Sequence, residues 1–218
     1  MVDVGGTHVK VLTSGETESR RAPSGPELTP VEMVAAALGA ALGWRWDVVT
    51  VGVPALVHGG RVVMEPFNLG EGWVGFDFEA AFGAPTRVMN DAAMQALGSY
   101  EGGTMLFLGL GTGLGAALIA DGVVEPMELA HLPFKKKTFE HYLGERGLKR
   151  LGRKRWQKHV AEAVERLTLA LEPDSIVLGG GNAAKLDPLP PKATLGSNSH
   201  AFTGGFRIWQ PERHEPLR

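Results

Sequence analysis

Apolar and polar positions alternate at the start of the chain, at Val2 and Val4 and again at Val9 and Val11. That period of two predicts a pair of β-strands joined as a hairpin through Gly5-Gly6-Thr7. After a polar, turn-rich stretch, Thr29-Pro30-Val31-Glu32 supplies an N-cap threonine, a proline at the first helical position and the glutamate of a capping box. A helix therefore starts there and runs to about Gly43. Residues 48–53, 61–64 and 86–89 predict short strands, the last stopping at Asn90-Asp91 before a helix over 92–97. The plan then restarts with a strand at 104–108, a glycine-rich break at 109–115 and a strand at 116–120. Asp121-Gly122, a two-residue hairpin signal, leads on into Val123-Val124. Trp156, Val160, Ala163, Val164, Leu167 and Leu171 recur at three- and four-residue spacing, which predicts an amphipathic helix over 155–171 ended by Pro173. Residues 175–178 read as a buried strand opening onto three glycines. Two halves built on one plan predict two α/β lobes, 1–90 and 91–218, with the last segment packing back on the first lobe. Glycine loops from both halves would face the cleft between them.

Composition narrows the class. The chain has 218 residues, 44% of them hydrophobic and 21% charged, enough to bury a core in one large domain or two small lobes. The absence of cysteine excludes disulfides and thiolate-held metals. No apolar run approaches the ~20 residues that a bilayer requires, and no basic segment followed by an apolar stretch opens the chain. A cytoplasmic protein without membrane association is therefore expected. The net charge of −2 conceals an uneven distribution: residues 135–158 hold ten Lys or Arg against Glu140 and Glu145, a local +8 on a remainder of −10. Such a segment is either an anion-attracting surface or a solvated helix face.

Three glycine-rich loops carry the candidate chemistry: DVGGTHVK (3–10), LGLGTGLG (108–115) and LGGGN (178–182). Without a Cβ in the way, backbone N–H groups of such loops converge on phosphate oxygens. None ends in Gly-Lys-Ser/Thr, and the first two lead into strands, so neither a Walker loop nor a dinucleotide fingerprint is present. For any one loop the alternative is a tight turn or a helix start; two matched hairpin loops plus a third favour anion binding. Asp91, between a strand and a helix, is placed to protrude into a cleft as a proton acceptor or to cap the helix, and the two roles are compatible. Lys10 is positioned to reach either a bound anion or solvent.

Together, the opening DVGGT, the Asn-Asp of VMNDAAMQALG, LGTGLGAALIADG, the ELAH tetrapeptide and the late GGG resemble the ROK family of bacterial sugar kinases, within the actin and hexokinase superfamily. The spacing through LGTGLGAALIADGVVEPMELAH is most similar to polyphosphate glucokinases. The resemblance implies a two-lobed actin-like, ribonuclease-H-like ATPase fold with an interlobe cleft. It also implies phosphoryl transfer from polyphosphate, ATP or both to the 6-hydroxyl of glucose. By this match Asp91 is the catalytic base and Asp3 holds Mg²⁺ through water. Gly5, Gly6, Thr7, Lys10, Gly111, Thr112, Gly113, Gly179, Gly180 and Gly181 bind the donor. Asn68, Asn90, Asp91, Glu128, His131 and Glu140 bind the sugar.

The chain departs from the family's pattern in places. Lys135, Lys136, Lys137 and Phe139 stand where many members have zinc-binding residues, so no structural zinc is expected. Ala55 and Ala130 replace glycines near the sugar loops. Kinases of another hexose or of an N-acetylated amino sugar, and a non-catalytic sugar sensor, are the alternatives. A homodimer is implied. Nucleic-acid binding through an N-terminal helix-turn-helix is not expected, because the first glycine loop begins at residue 3.

Overall fold

The computed structural model describes residues 1–210; residues 211–218, assigned from sequence to the second lobe, lie outside the described residues. In chain order the elements are β1 (Val2–Val4), β2 (His8–Val11), β3 (Arg20–Pro23), α1 (Pro30–Ala40), β4 (Val49–Val53), β5 (Val57–His58), β6 (Arg61–Val62), α2 (Phe78–Phe82) and β7 (Thr86–Asn90). They continue with α3 (Asp91–Ser99), β8 (Thr104–Leu110), β9 (Leu114–Ala120), β10 (Val123–Met127), β11 (Pro133–Phe134), β12 (Lys137–Thr138), α4 (Phe139–Leu143) and α5 (Glu145–Leu151). The last are α6 (Arg153–Leu171), β13 (Ser175–Gly179), β14 (Ala193–Leu195) and α7 (His200–Arg207).

Two five-stranded sheets repeat one topology, in the orders β3-β2-β1-β4-β7 and β10-β9-β8-β13-β14. In each, three antiparallel strands are followed by two parallel ones. The first hairpin keeps the predicted alternation: Val2, Val4, Val9 and Val11 are buried with Met33, Val34 and Ala37 of α1. Asp3 and Lys10, which pair in register, therefore project from the opposite face. The capping box at Thr29 is formed. Asp121 and Gly122, with φ of 51° and 83°, adopt the positive φ pair that a type I′ turn requires.

Three expectations are corrected. Residues 109–115 are mostly strand, because Gly109 pairs with Gly115 and Leu110 with Leu114, leaving only residues 111–113 in the turn. The run at 61–64 shortens to β6, which pairs with β5 in a separate ribbon. The basic segment 135–158 is spread over the β11–β12 turn, β12, α4, α5 and the first two turns of α6.

The second sheet is covered on one face by α4 and α6, where Trp156, Val160, Ala163, Val164 and Leu167 are buried as the spacing predicts. The Trp156 indole N–H donates to Leu143 O at 2.7 Å. Its other face takes Ala92, Ala93, Ala96 and Leu97 of α3. α3 crosses α7 so closely that a Cβ on Gly98 would overlap the His200 carbonyl and one on Gly204 the Met94 carbonyl. α7 in turn reaches the first sheet, where the Thr50 hydroxyl donates to Gly205 O at 2.6 Å. These two helices tie the sheets together, and Asp91 is the first residue of α3.

Candidate active site

Both hairpin turns present open amides. In the first, Gly5 N–H donates to His8 O at 3.0 Å and Thr7 O accepts from Ser24 N–H at 3.0 Å. The Gly6 and Thr7 N–H groups meet no acceptor among the described residues. In the second, Gly111 N–H is shared between Gly109 O and Gly113 O at 3.2 Å, and the Thr112 and Gly113 N–H groups are likewise open among the described residues. Pairs of adjacent free amides form anion-binding concavities. The third loop lies directly on the second: Gly180 has φ of +81°, and a Cβ there would come within 2.7 Å of the Leu110 backbone. Only glycine permits this approach.

Asn90 caps α3, its Oδ1 accepting from Ala92 and Ala93 N–H at 2.9 and 3.1 Å while its Nδ2 donates to Ala55 O at 3.0 Å. Capping therefore falls to Asn90, and Asp91 follows it with one oxygen, Oδ1, accepting from Ala92 N–H at 2.8 Å. Desolvation pushes the Asp91 carboxyl up to about 7, with further contributions from the negative charges of Asp3 and Glu128. Two carboxylates from the first half of the chain's β1 and from the ELAH segment thus face Asp91 closely enough to repel it. Asp3 is buried, with 7% exposure, and its Oδ2 lies 3.2 Å from Lys10 Nζ. Lys10 thus has Asp3 as its ion-pair partner while its side chain remains partly exposed. Gly115 lies against Ala92, which sets the second hairpin beside the start of α3.

Around the ELAH segment, burial raises the Glu128 carboxyl, His131 opposes that shift and Glu140 adds to it. Glu140 rests on the second turn, its Oε2 lying 2.6 Å from where a Gly113 Cβ would stand. Asn68 Nδ2 is 3.1 Å from the corresponding position at Gly6, and the neighbouring Phe67 ring meets His131 edge-on at 5.7 Å. Glu65 braces this loop by accepting from Trp73 and Val74 N–H at 3.0 and 3.2 Å. Glu65, together with Asn182 and Lys185, whose side chains bond to Gly111 O and to Asn182 Oδ1 respectively, makes contacts around these loops that the sequence reading did not single out. Only Asn182, directly after three glycines, carries a local signal.

The basic segment divides. Lys135 Nζ is 2.6 Å from Glu162 on α6, whereas Lys149 is paired with Glu145 at 2.8 Å. The Glu145 N–H donates to the Gly111 and Thr112 carbonyls at 3.0 and 3.2 Å. Lys149 is thus within one helical turn of the second glycine turn. A cavity of about 150 Å³ lined by Trp44, Trp46, Phe82 and Trp209 includes none of the candidate donor, sugar or metal residues, whereas a second concavity is lined in part by Lys10.

The donor set suits magnesium better than a protein-caged ion. Among the described residues no three His, Cys, Asp or Glu side chains gather to hold a metal, while buried Asp3 presses negative charge on Asp91. Mg²⁺ takes one or two carboxylates and completes its shell with water and substrate phosphates.

This pH behaviour is testable. A base that must be ionised to act makes kcat/KM fall below its pKa in the free enzyme, so any reaction in which Asp91 serves as the base is expected to slow below about pH 7. Asp3→Asn removes one source of repulsion and moves that limb to lower pH, as read from the rate profile or by carboxyl-carbon NMR of Asp91. An unmoved limb would detach the two carboxylates.

The doubled sheet with α3 and α7 between its copies defines the actin-like, two-lobed fold of ROK sugar kinases. It superposes with a TM-score of 0.78 on the inorganic polyphosphate/ATP-glucomannokinase of Arthrobacter sp. strain KM, 24% identical over 94% of each chain. A ROK family glucokinase from Streptomyces griseus, solved with glucose and AMPPNP, gives 0.72 at 19% identity, covering 95% of this chain and 97% of that one. In sequence, the chain is similar to the polyphosphate glucokinase of Mycobacterium tuberculosis, 28% identical over 168 residues, or 68% of this chain and 61% of the relative. It thus spans less than two thirds of the length of that relative. No protein-family model matches the chain. No helix among the described residues is long and apolar enough to cross a membrane.

Proposed function

We propose that the chain is a sugar kinase that moves a terminal phosphoryl group from polyphosphate, ATP or both to the 6-hydroxyl of glucose. The observation that carries this reading is the conjunction of two open-amide turns, one from each half, with a desolvated Asp91 that feels the charges of Asp3 and Glu128. Phosphoryl transfer passes through a loose transition state, so the protein's work is to position reactants and stabilise charge. The sugar O6 bonds to the terminal phosphorus as the bond to the bridging oxygen breaks. The electron pair leaves with the shortened donor, and the hydroxyl proton passes to Asp91. The amides of Gly6, Thr7, Thr112 and Gly113, with the Thr7 and Thr112 hydroxyls and the glycines of the third loop, receive phosphate oxygens. Asn68, Asn90, Glu128, His131 and Glu140 hold the sugar hydroxyls. When bound, Mg²⁺ supplies charge neutralisation to the phosphates, and Asp3 is the residue that would hold it.

The similarity to polyphosphate glucokinases supports this class of donor and acceptor. The division into lobes at residues 90 and 91, a homodimeric state and a cytoplasmic location belong to the same reading. Ala55 and Ala130, both buried, each add a methyl group near the acceptor residues and bear on which hexose fits. A screen of hexoses against ATP and polyphosphate with Mg²⁺ tests the proposal. Glucose 6-phosphate is expected with at least one donor; a protein that binds glucose in calorimetry but phosphorylates no hexose would be a sensor.

The basic segment offers a sharper test of donor choice. Lys149→Gln is expected to raise the KM for polyphosphate about threefold and to flatten its salt dependence. Lys136→Gln and Lys137→Gln, on the β11–β12 hairpin and outside the helix that carries Lys149, should leave it unchanged. Equal effects from all three would disconnect the donor path from the second glycine turn.

A further inference from the structure

We infer that Asn182 is a positioning residue for the phosphoryl donor, a latch that ties back the carbonyls of the second glycine turn and thereby aims its free amides. This rests on the reading of that turn as donor site.

Asn182 is buried, with 7% exposure. Its backbone N–H donates to Leu110 O at 2.9 Å, and its side-chain Nδ2 donates to Gly111 O at 3.2 Å. Lys185 Nζ donates to Asn182 Oδ1 at 2.7 Å. An ammonium has only donors, so the atom facing it must be the amide oxygen, and the NH₂ group must face Gly111. Lys185 is itself anchored, because its carbonyl accepts from Arg153 Nε at 2.7 Å and Gln157 Nε2 at 3.4 Å on α6.

The consequence follows from peptide geometry. In a trans peptide the C=O and the next N–H point in opposite directions. Gly111 O is held by Asn182 and by the Glu145 N–H, and Thr112 O by the same Glu145 N–H. The following amides, Thr112 N–H and Gly113 N–H, are turned to the other side. They are the pair left open among the described residues. The Glu145 bond is made by main chain and survives almost any residue at 145. The Asn182 amide is the side-chain tie, and it is one that a single substitution removes.

Asn182→Asp isolates that tie. It keeps the size, the acceptor for Lys185 and the backbone bond to Leu110, but sets a carboxylate oxygen against the Gly111 carbonyl. The expected result is a rise of about tenfold in the KM for the phosphoryl donor, with the KM for glucose within about twofold. Without any ligand, amide hydrogen exchange in the peptide covering residues 110–115 should be faster than in the parent, and the melting temperature nearly unchanged. Parent-like exchange and donor KM would overturn the latch. So would equal rises in both KM values with a matching loss of melting temperature, which would mark a merely structural residue. The exchange measurement needs no turnover. A parent protein inactive with every donor would therefore defeat the proposed kinase activity, while exchange would still decide the latch.

Discussion

Asp91→Ala is expected to lower turnover by about 10³-fold, within the range that a positioned acid or base contributes, while glucose binding measured by calorimetry stays within about threefold. The substitution leaves the N-cap of α3 in place, because Asn90 supplies it. Asp91→Asn serves as the control for folding. A carboxyl whose folded pKa of about 7 lies above its ordinary 3.8 is protonated in the native state between those values while the unfolded chain is already ionised. Native stability therefore falls as pH rises through that window. The neutral amide removes this cost and should stabilise the protein at pH 8 by on the order of 2–4 kcal/mol, with little effect near pH 4. A variant that is more stable at pH 8 and inactive ties the loss of rate to the carboxylate itself. Unchanged turnover would remove Asp91 from the mechanism.

The second large effect lies at the helix crossing that holds Asp91 between the sheets. Gly204→Val would place three carbons where the Met94 carbonyl and the Gly98 amide now lie. Neither neighbour is a flexible side chain, so α3 and α7 must separate. Overpacking of this kind costs about 3 kcal/mol or more, which for a chain of this size lowers the melting temperature by about 6–12 °C. The displacement also moves the first turn of α3, so the remaining folded protein should lose activity in proportion greater than its loss of stability. A valine at the exposed Gly39, which meets nothing within 4 Å, gives the propensity cost of the substitution without the clash.

Much of this arrangement was readable from local signals. The hairpins around Gly5-Gly6-Thr7 and Asp121-Gly122, the capping box at Thr29 and the apolar stripe of α6 each follow from a few neighbouring residues, and each is present. The extent of the second turn was misjudged because glycines at 109 and 115 look like a loop, although the opposing strand keeps them in register. Lys10 was undecided between solvent and anion because its partner, Asp3, sits across a strand pair. Glu65, Asn182 and Lys185 act through contacts 3 to 71 residues away, and only the fold reveals which backbone groups they meet. α7 was the element least visible. The sequence reading assigned nothing to it, and its Gly204 is the point at which the helix presses against α3.

The most direct measurement is a crystal structure with glucose and a non-hydrolysable phosphoryl donor. The account predicts the glucose O6 within roughly 2.6–3.2 Å of the Asp91 carboxylate. Terminal phosphate oxygens should accept, at roughly 2.7–3.2 Å, from the amides of Gly6 or Thr7 on one side and Thr112 or Gly113 on the other. A donor seated away from either turn, or a sugar whose O6 faces no carboxylate, would contradict it.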